Sequence, residues 1–186
     1  MIPVTIIIHT LNEEINLPYA LENVTNWASQ VCVVDSESND KTCEIAQKYK
    51  ADLYSRACDR KGLVNQRNWA LDNINFKNEW VFILDADELM DDELKLEIEN
   101  ILISPPPNID RYICRFKLFF LGKWIPKSHL YPTWNLRFFK HKDIRYEKRE
   151  CNANPNQNQL KTNELKGHIN AIDRKEFSAY IKRIDE

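Results

Sequence analysis

Over its first hundred residues the chain alternates short apolar runs with stretches of helical periodicity, and few folds satisfy that order. Pro3 to His9 is β-branched and apolar and reads as a strand. Asn12-Glu13-Glu14 then opens a helix, with Asn12 as cap, Pro18 in its early turns, and Ile15, Leu17, Leu21 and Val24 at helical spacing. Strands follow at Gln30 to Val34, Asp52 to Arg56 and Trp80 to Asp85, with helices at Lys41 to Lys50 and Val64 to Ile74 between them. A further amphipathic helix, Glu93 to Ile103, stops at Pro105-Pro106-Pro107. This order predicts an α/β fold, a mainly parallel sheet flanked by helices with right-handed crossovers.

Such a sheet binds ligands at the carboxyl ends of its strands. Three strand ends are polar: His9 to Glu13, Asp35 to Asp40, and Asp85 to Glu88. The third closes the fully apolar run Trp80 to Leu84, which reads as a buried strand. Two carboxylates one residue apart, Asp85 and Asp87, are hard oxygen ligands suited to Mg2+ or Mn2+. The other reading of the same stretch is an acidic turn ahead of a helix, with Asp91, Asp92 and Glu93 in its first turn. The chain has no glycine fingerprint for dinucleotides and no GxxxxGK loop, which argues against a Rossmann dehydrogenase and a nucleoside triphosphatase.

With 186 residues, the chain has the length of one domain, here taken as 1–186. Its five cysteines (Cys32, Cys43, Cys58, Cys114 and Cys151) are scattered, with no CxxC pair, and read as reduced thiols of a cytoplasmic protein. No signal or membrane helix is evident near the N-terminus.

Charge divides the chain. Residues 1–110 hold 9 Lys+Arg against 20 Asp+Glu, whereas 111–149 hold 11 against 2 together with 10 of the 20 aromatics. The basic aromatic part, with strands at Arg111 to Phe120 and Trp134 to Phe139, has three readings. It forms an acceptor groove pairing phosphate and stacking on sugars, a contact with an anionic membrane surface, or an aromatic core with a solvated basic face. Nucleic acid is disfavoured, since no binding motif accompanies the charge. Lys175 to Ile184 reads as a basic amphipathic helix, and the abrupt end at Glu186 suggests a fold that continues in longer relatives.

Together, Val4 to Glu14, Val33-Val34-Asp35-Ser36, Gln66 to Leu71 and Leu84 to Glu88 resemble family 2 glycosyltransferases. Within that family the pattern is most similar to the bacterial lipopolysaccharide-core β-glucosyltransferase group. Phe119 to Ile125 and Tyr131 to Phe139 are similar to the same group. The resemblance implies a GT-A fold, with 1–104 binding a nucleotide-diphosphate sugar and 108–186 forming a mixed-strand acceptor side. It implies an inverting hexosyltransferase using Mg2+ or Mn2+, with a UDP-sugar (UDP-glucose foremost) as donor and a cell-envelope glycan or glycolipid such as a lipopolysaccharide core as acceptor. The protein would work in the cytoplasm, with peripheral contact at the inner membrane face through 111–149.

By the same resemblance, His9, Leu11, Asn12, Glu13, Asp35, Arg67, Asn68, Asp85 and Ala86 would frame the donor. Asp87 and His168 would serve the metal, and Asp85 the donor ribose or the metal's water shell. Relatives often show Asp-Asp where this chain has Asp35-Ser36, which puts the usual acidic contact to the base in question. Inverting transfer needs a carboxylate to take the acceptor's proton. Many relatives carry His-Glu where this chain reads Asn152-Ala153, leaving Glu150 as the catalytic base, with Glu147 nearby. Glu150 is otherwise an ion-pair partner of Arg149 or Lys148. If no base is present, the chain is a weak or inactive homologue that binds nucleotide sugar or scaffolds glycan assembly. A nucleotidyltransferase would bring a Gly- and Lys-rich phosphate loop, and none is present.

Overall fold

The computed structural model describes residues 1–57, 63–126, 131–142, 144–146 and 161–176, with the backbone alone at 63–65 and 161. Strands β1 (Ile2–Thr10), β2 (Ala28–Asp35), β3 (Asp52–Ser55) and β4 (Trp80–Asp85) run parallel, in the order β3-β2-β1-β4. Between them lie α1 (Leu17–Val24), α2 (Thr42–Lys48) and α3 (Leu63–Asn73). The sheet continues beyond β4 through β8 (Trp134–Lys140), β6 (Ile109–Phe120), β9 (Lys161–Ile172) and β5 (Glu88–Met90), with β7 (Lys123–Trp124) added to β6. A further helix, α4 (Asp92–Ile103), links β5 to β6.

The central strands are buried on both faces, which is why β1 and β4 read as unbroken apolar runs. Successive side chains of β1 enter opposite layers. Val4, Ile6 and Ile8 pack with Leu17, Leu21, Ala46, Leu94 and Ile98, whereas Ile7 packs with Ala70, Leu71 and Ile74. Helices α1, α2 and α4 thus cover one face, and α3 the other. The expected parallel sheet with helices on both faces is present.

Several expectations need correcting. Helix α1 starts at Leu17, four residues later than expected, with Pro18 in its first turn. Asn12 is no cap: it stands at φ 55° in a turn, where its side chain accepts from Asn39 N–H at 2.9 Å. Strands β5, β7 and β9 were not foreseen. Strand β9 carries exposed Asn, Glu and Lys at 163, 164 and 166, and the residues it buries are Leu165, Gly167, His168 and Ile169. The helix at Lys175 to Ile184 lies mostly outside the described residues, as do Glu147, Glu150, Asn152 and Ala153.

Helix α4 is fixed at its start by Asp91, whose Oδ1 accepts from Leu94 N–H at 2.9 Å and His168 N–H at 3.0 Å. Glu97 accepts from Lys166 N–H and Gly167 N–H at 2.8 and 3.0 Å, so α4 lies directly on β9. A Cβ at Gly167 would fall 2.2 Å from the Leu94 backbone nitrogen. Gly167→Ala is therefore expected to cost about 1–3 kcal/mol, because backbone must move to admit it. Urea unfolding measures this, and an unchanged midpoint would show that α4 does not sit this close.

Candidate active site

The carboxyl ends of β1, β2 and β4 meet at one sheet edge. His9 pairs in register with Val34 on one side and Asp85 on the other, and Thr10 pairs with Asp35. The three polar strand ends therefore converge.

On the α1–α2 side, Asp35 is buried and organises a loop. Its Oδ1 accepts from Thr10 Oγ1 at 2.8 Å and Ser38 Oγ at 2.6 Å, and its Oδ2 from Ser38 N–H at 2.8 Å. Ser38 Oγ in turn accepts from Asn12 N–H at 2.8 Å, and Thr42 Oγ1 accepts from Glu13 N–H at 2.8 Å. Asp35 spends its carboxylate on the first two loops, which sets where Leu11 and Asn12 stand. Ser36, where relatives often have acid, accepts from Gln66 Nε2 on α3.

On the α3 side is a buried charge cluster. The Arg137 guanidinium is 4% exposed and donates from Nη2 to Asp85 Oδ2 at 3.0 Å and Glu88 Oε1 at 2.8 Å. Asp85 N–H donates to Glu88 Oε2 at 2.8 Å. Glu88 and Arg137 thereby close a ring around the turn Asp85-Ala86-Asp87 and fix its shape. Arg137 also stacks over Phe116, 5.0 Å from the ring centre. Arg67 approaches Asp85 at 3.7 Å and lies over the Tyr146 ring.

The electrostatics follow from this packing. Burial opposes the charge on Asp85, but Arg137 and Arg67 outweigh it and hold the carboxyl below the usual range. Burial pushes Glu88 up, with Arg137 pulling the other way. Burial, with the Arg67 charge, drives His9 down to about 3, so the imidazole is neutral. Among the described residues neither of its ring nitrogens finds a hydrogen-bond partner. Asp87 is pushed up to about 6 by burial and by the carboxylates of Asp85, Glu13 and Asp173. Surplus negative charge with hard oxygen donors is what a divalent cation offsets, so Asp87 and Asp85 fit Mg2+ or Mn2+.

Other expected site residues are placed differently. Asn68 donates to Tyr146 O and accepts from Tyr146 N–H, both at 2.8 Å, so its amide holds the Tyr146 backbone. Glu13 Oε1 takes Lys175 Nζ at 2.6 Å and its Oε2 takes Asn16 Nδ2 at 2.9 Å. His168 does not stand beside Asp87. Ile172 N–H donates to Asp87 O, and His168 lies four residues back along β9, roughly 13 Å at a strand's rise. There His168 Nδ1 is 3.4 Å from Asp91 Oδ2, and Asp91, Glu93 and His168 bring potential ligand atoms within 4.8 Å of one another. Arg137 was missed as a site residue. Its signal was a charge set between Leu136 and Phe138 in a strand of imperfect alternation.

The sheet edge thus gathers paired carboxylates, two arginines and a loop held by a strand-end aspartate. Residues 5–155 match the model of glycosyl transferase family 2, and the chain belongs to that family. It is 35% identical over 127 residues to an uncharacterised glycosyltransferase of Rickettsia bellii, covering 68% of this chain and 41% of that one. It is 26% identical over 149 residues to the lipopolysaccharide core biosynthesis glycosyltransferase LpsC of Rhizobium meliloti, covering 78% of this chain and 54% of LpsC. The chain thus spans about two-fifths to half the length of these relatives.

Among solved structures it resembles S. aureus TarS in complex with UDP-GlcNAc, at TM-score 0.66 and 19% identity, covering 94% of this chain and 60% of TarS. It also resembles M. tuberculosis glucosyl-3-phosphoglycerate synthase with Mn2+, UDP and glucosyl-3-phosphoglycerate, at TM-score 0.52 and 16% identity, covering 75% and 57%. These likenesses establish the GT-A fold.

Proposed function

We propose that the chain binds a nucleotide-diphosphate sugar at the edge formed by β1, β2 and β4 and transfers its hexose, with inversion, to a hydroxyl acceptor. The observation that carries this reading is the convergence at one strand edge of Asp85, Asp87, Arg67 and a neutral His9 that has no hydrogen-bond partner among the described residues. Asp87, with Asp85 behind it, would hold Mg2+ or Mn2+. When bound, the ion supplies Lewis-acid stabilisation of charge on the departing diphosphate. Arg67 keeps a cationic face beside that position, and Arg137 keeps the carboxylate turn in shape. His9 offers a buried hydrogen-bonding group to a donor hydroxyl, and Leu11, Asn12 and Ala86 line the nucleoside.

UDP-glucose is the proposed donor, which fits the UDP and Mn2+ carried by the mycobacterial synthase and the UDP-GlcNAc carried by TarS. The proposed acceptor is a cell-envelope glycan or glycolipid such as a lipopolysaccharide core, supported by the likeness to LpsC. The work would be done at the cytoplasmic face of the membrane. No helix among the described residues is long and apolar enough to cross it.

Glu150 is proposed as the base that takes the acceptor proton. Replacing it by Gln is expected to lower turnover about 10²–10⁴-fold while leaving UDP affinity unchanged. Transfer from UDP-[14C]glucose into an envelope extract measures this, and full activity would place the base elsewhere. Asn152-Ala153 favours a second reading, an inactive homologue that keeps the donor site. If UDP binds yet wild type neither hydrolyses nor transfers UDP-glucose, that reading stands.

A further inference from the structure

We propose that the β6–β7 hairpin is a membrane-docking element that enters the interface of an anionic bilayer beside the donor site. This goes beyond the donor-site reading and does not depend on it.

The argument begins with where the hairpin stands. Strand β8 is antiparallel to both β4 and β6, so β6 runs in the direction of β4 and its carboxyl end emerges at the ligand edge. Phe82 pairs with Phe138, and Arg115 pairs with Trp134. Across β9 the hairpin stands beside the carboxylate turn: Phe119 pairs with Ile172, whose N–H donates to Asp87 O, so the tip at Leu121 and Gly122 lies just beyond the level of Asp87, two strands away.

Next comes what it carries. Four of the large apolar side chains exposed among the described residues fall within seven positions here: Leu118 at 39%, Phe120 at 38%, Leu121 at 78% and Trp124 at 40%. In an antiparallel pair, opposed residues share a face. Phe119 opposes Trp124 and Phe120 opposes Lys123, so apolar groups occupy both faces as well as the tip. An ordinary protein docking site presents one face, whereas a ribbon apolar on both faces suits immersion.

The tip adds strain. Leu121 and Gly122 both have positive φ, 48° and 76°, as a two-residue turn of this kind requires. Asn or Asp would serve the first position more cheaply, yet a leucine is held there in left-handed backbone and pointed into solvent.

Charge then selects the occupant. Lys117 lies over the Trp124 ring at 5.5 Å and Lys123 flanks the tip, with Arg115 over Trp134 at the base. The segment 111–149 carries 11 basic residues against 2 acidic. Aromatics at headgroup depth with lysines reaching up to anionic lipid is the pattern of an interfacial anchor. It would bring a lipid-linked acceptor toward the donor edge.

The test is co-sedimentation with vesicles of phosphatidylcholine alone and with about 30 mol% phosphatidylglycerol. The protein is expected to pellet with the anionic vesicles and to be released by salt. Leu121→Glu and Trp124→Glu should each weaken the partition about tenfold or more. Both sites are exposed, and each variant is expected to melt within about 2 °C of wild type, which reports that the fold is intact. Failure to bind anionic vesicles would overturn the proposal, as would binding that neither variant weakens. A wild-type dimer that Leu121→Glu converts to monomer in light scattering would also overturn it, because a second copy would then be the occupant.

Discussion

Arg137→Met is expected to lower stability by about 3 to 5 kcal/mol, because it leaves the buried Glu88 without its cation and takes one of two arginines from the part-exposed Asp85. For a chain of this size that corresponds to a fall in Tm of roughly 10 °C or more. Three features make the loss large. The guanidinium is almost fully enclosed, it bridges two carboxylates, and Phe116 covers its face. Glu88→Gln replaces one of the two carboxyl groups that Arg137 donates to. The double variant should therefore lose less than the sum of the singles, with a coupling of about 1 kcal/mol or more. The comparison is made by thermal unfolding of the four proteins. A single variant that melts within about 2 °C of wild type would show that the charge cluster is not holding the carboxylate turn.

The second large effect falls on activity and spares the fold. Asp87→Ala is expected to reduce transfer by about 10³-fold or more, the several kcal/mol of charge stabilisation a bound cation supplies. It should also remove the dependence of nucleotide binding on Mn2+. Without metal, the variant should unfold no earlier than wild type. Asp87 is a carboxyl whose charge the surrounding Asp85, Glu13 and Asp173 oppose, so the apo protein gains nothing from it. Loss of activity with stability kept separates a ligand from a structural residue. Unchanged Mn2+ dependence of UDP binding would sink the assignment.

The parallel half of the sheet was legible because its strands are buried on both faces and so spell themselves as apolar runs, β4 most plainly. Its ligand edge was legible for the same reason, since polar residues at three strand ends have no other place to go. The antiparallel half was harder. Strand β9 lies between β6 and β5 with polar groups outward, so its twelve residues never form a hydrophobic run. Asn12 looked like a helix cap because Asn serves caps and left-handed turns alike, and the turn is what the packing of the Asn12 and Ser38 loops selects.

Asp85 and Asp87 stand at the end of β4 where their spacing after the apolar run put them, whereas Arg137 was not legible, since it reaches Asp85 through the antiparallel pairing of β8 with β4. Asn68 illustrates the opposite case. It sits near the site as expected, yet both its amide atoms are given to the Tyr146 backbone.

The most direct test of the donor site is calorimetric titration of UDP into the wild-type protein with Mn2+ and again with EDTA. Saturable binding that is at least about tenfold tighter with Mn2+ is the predicted result. No heat from UDP in either condition would contradict it, because the edge that gathers His9, Arg67, Asp85 and Asp87 would then not be a nucleotide-diphosphate site.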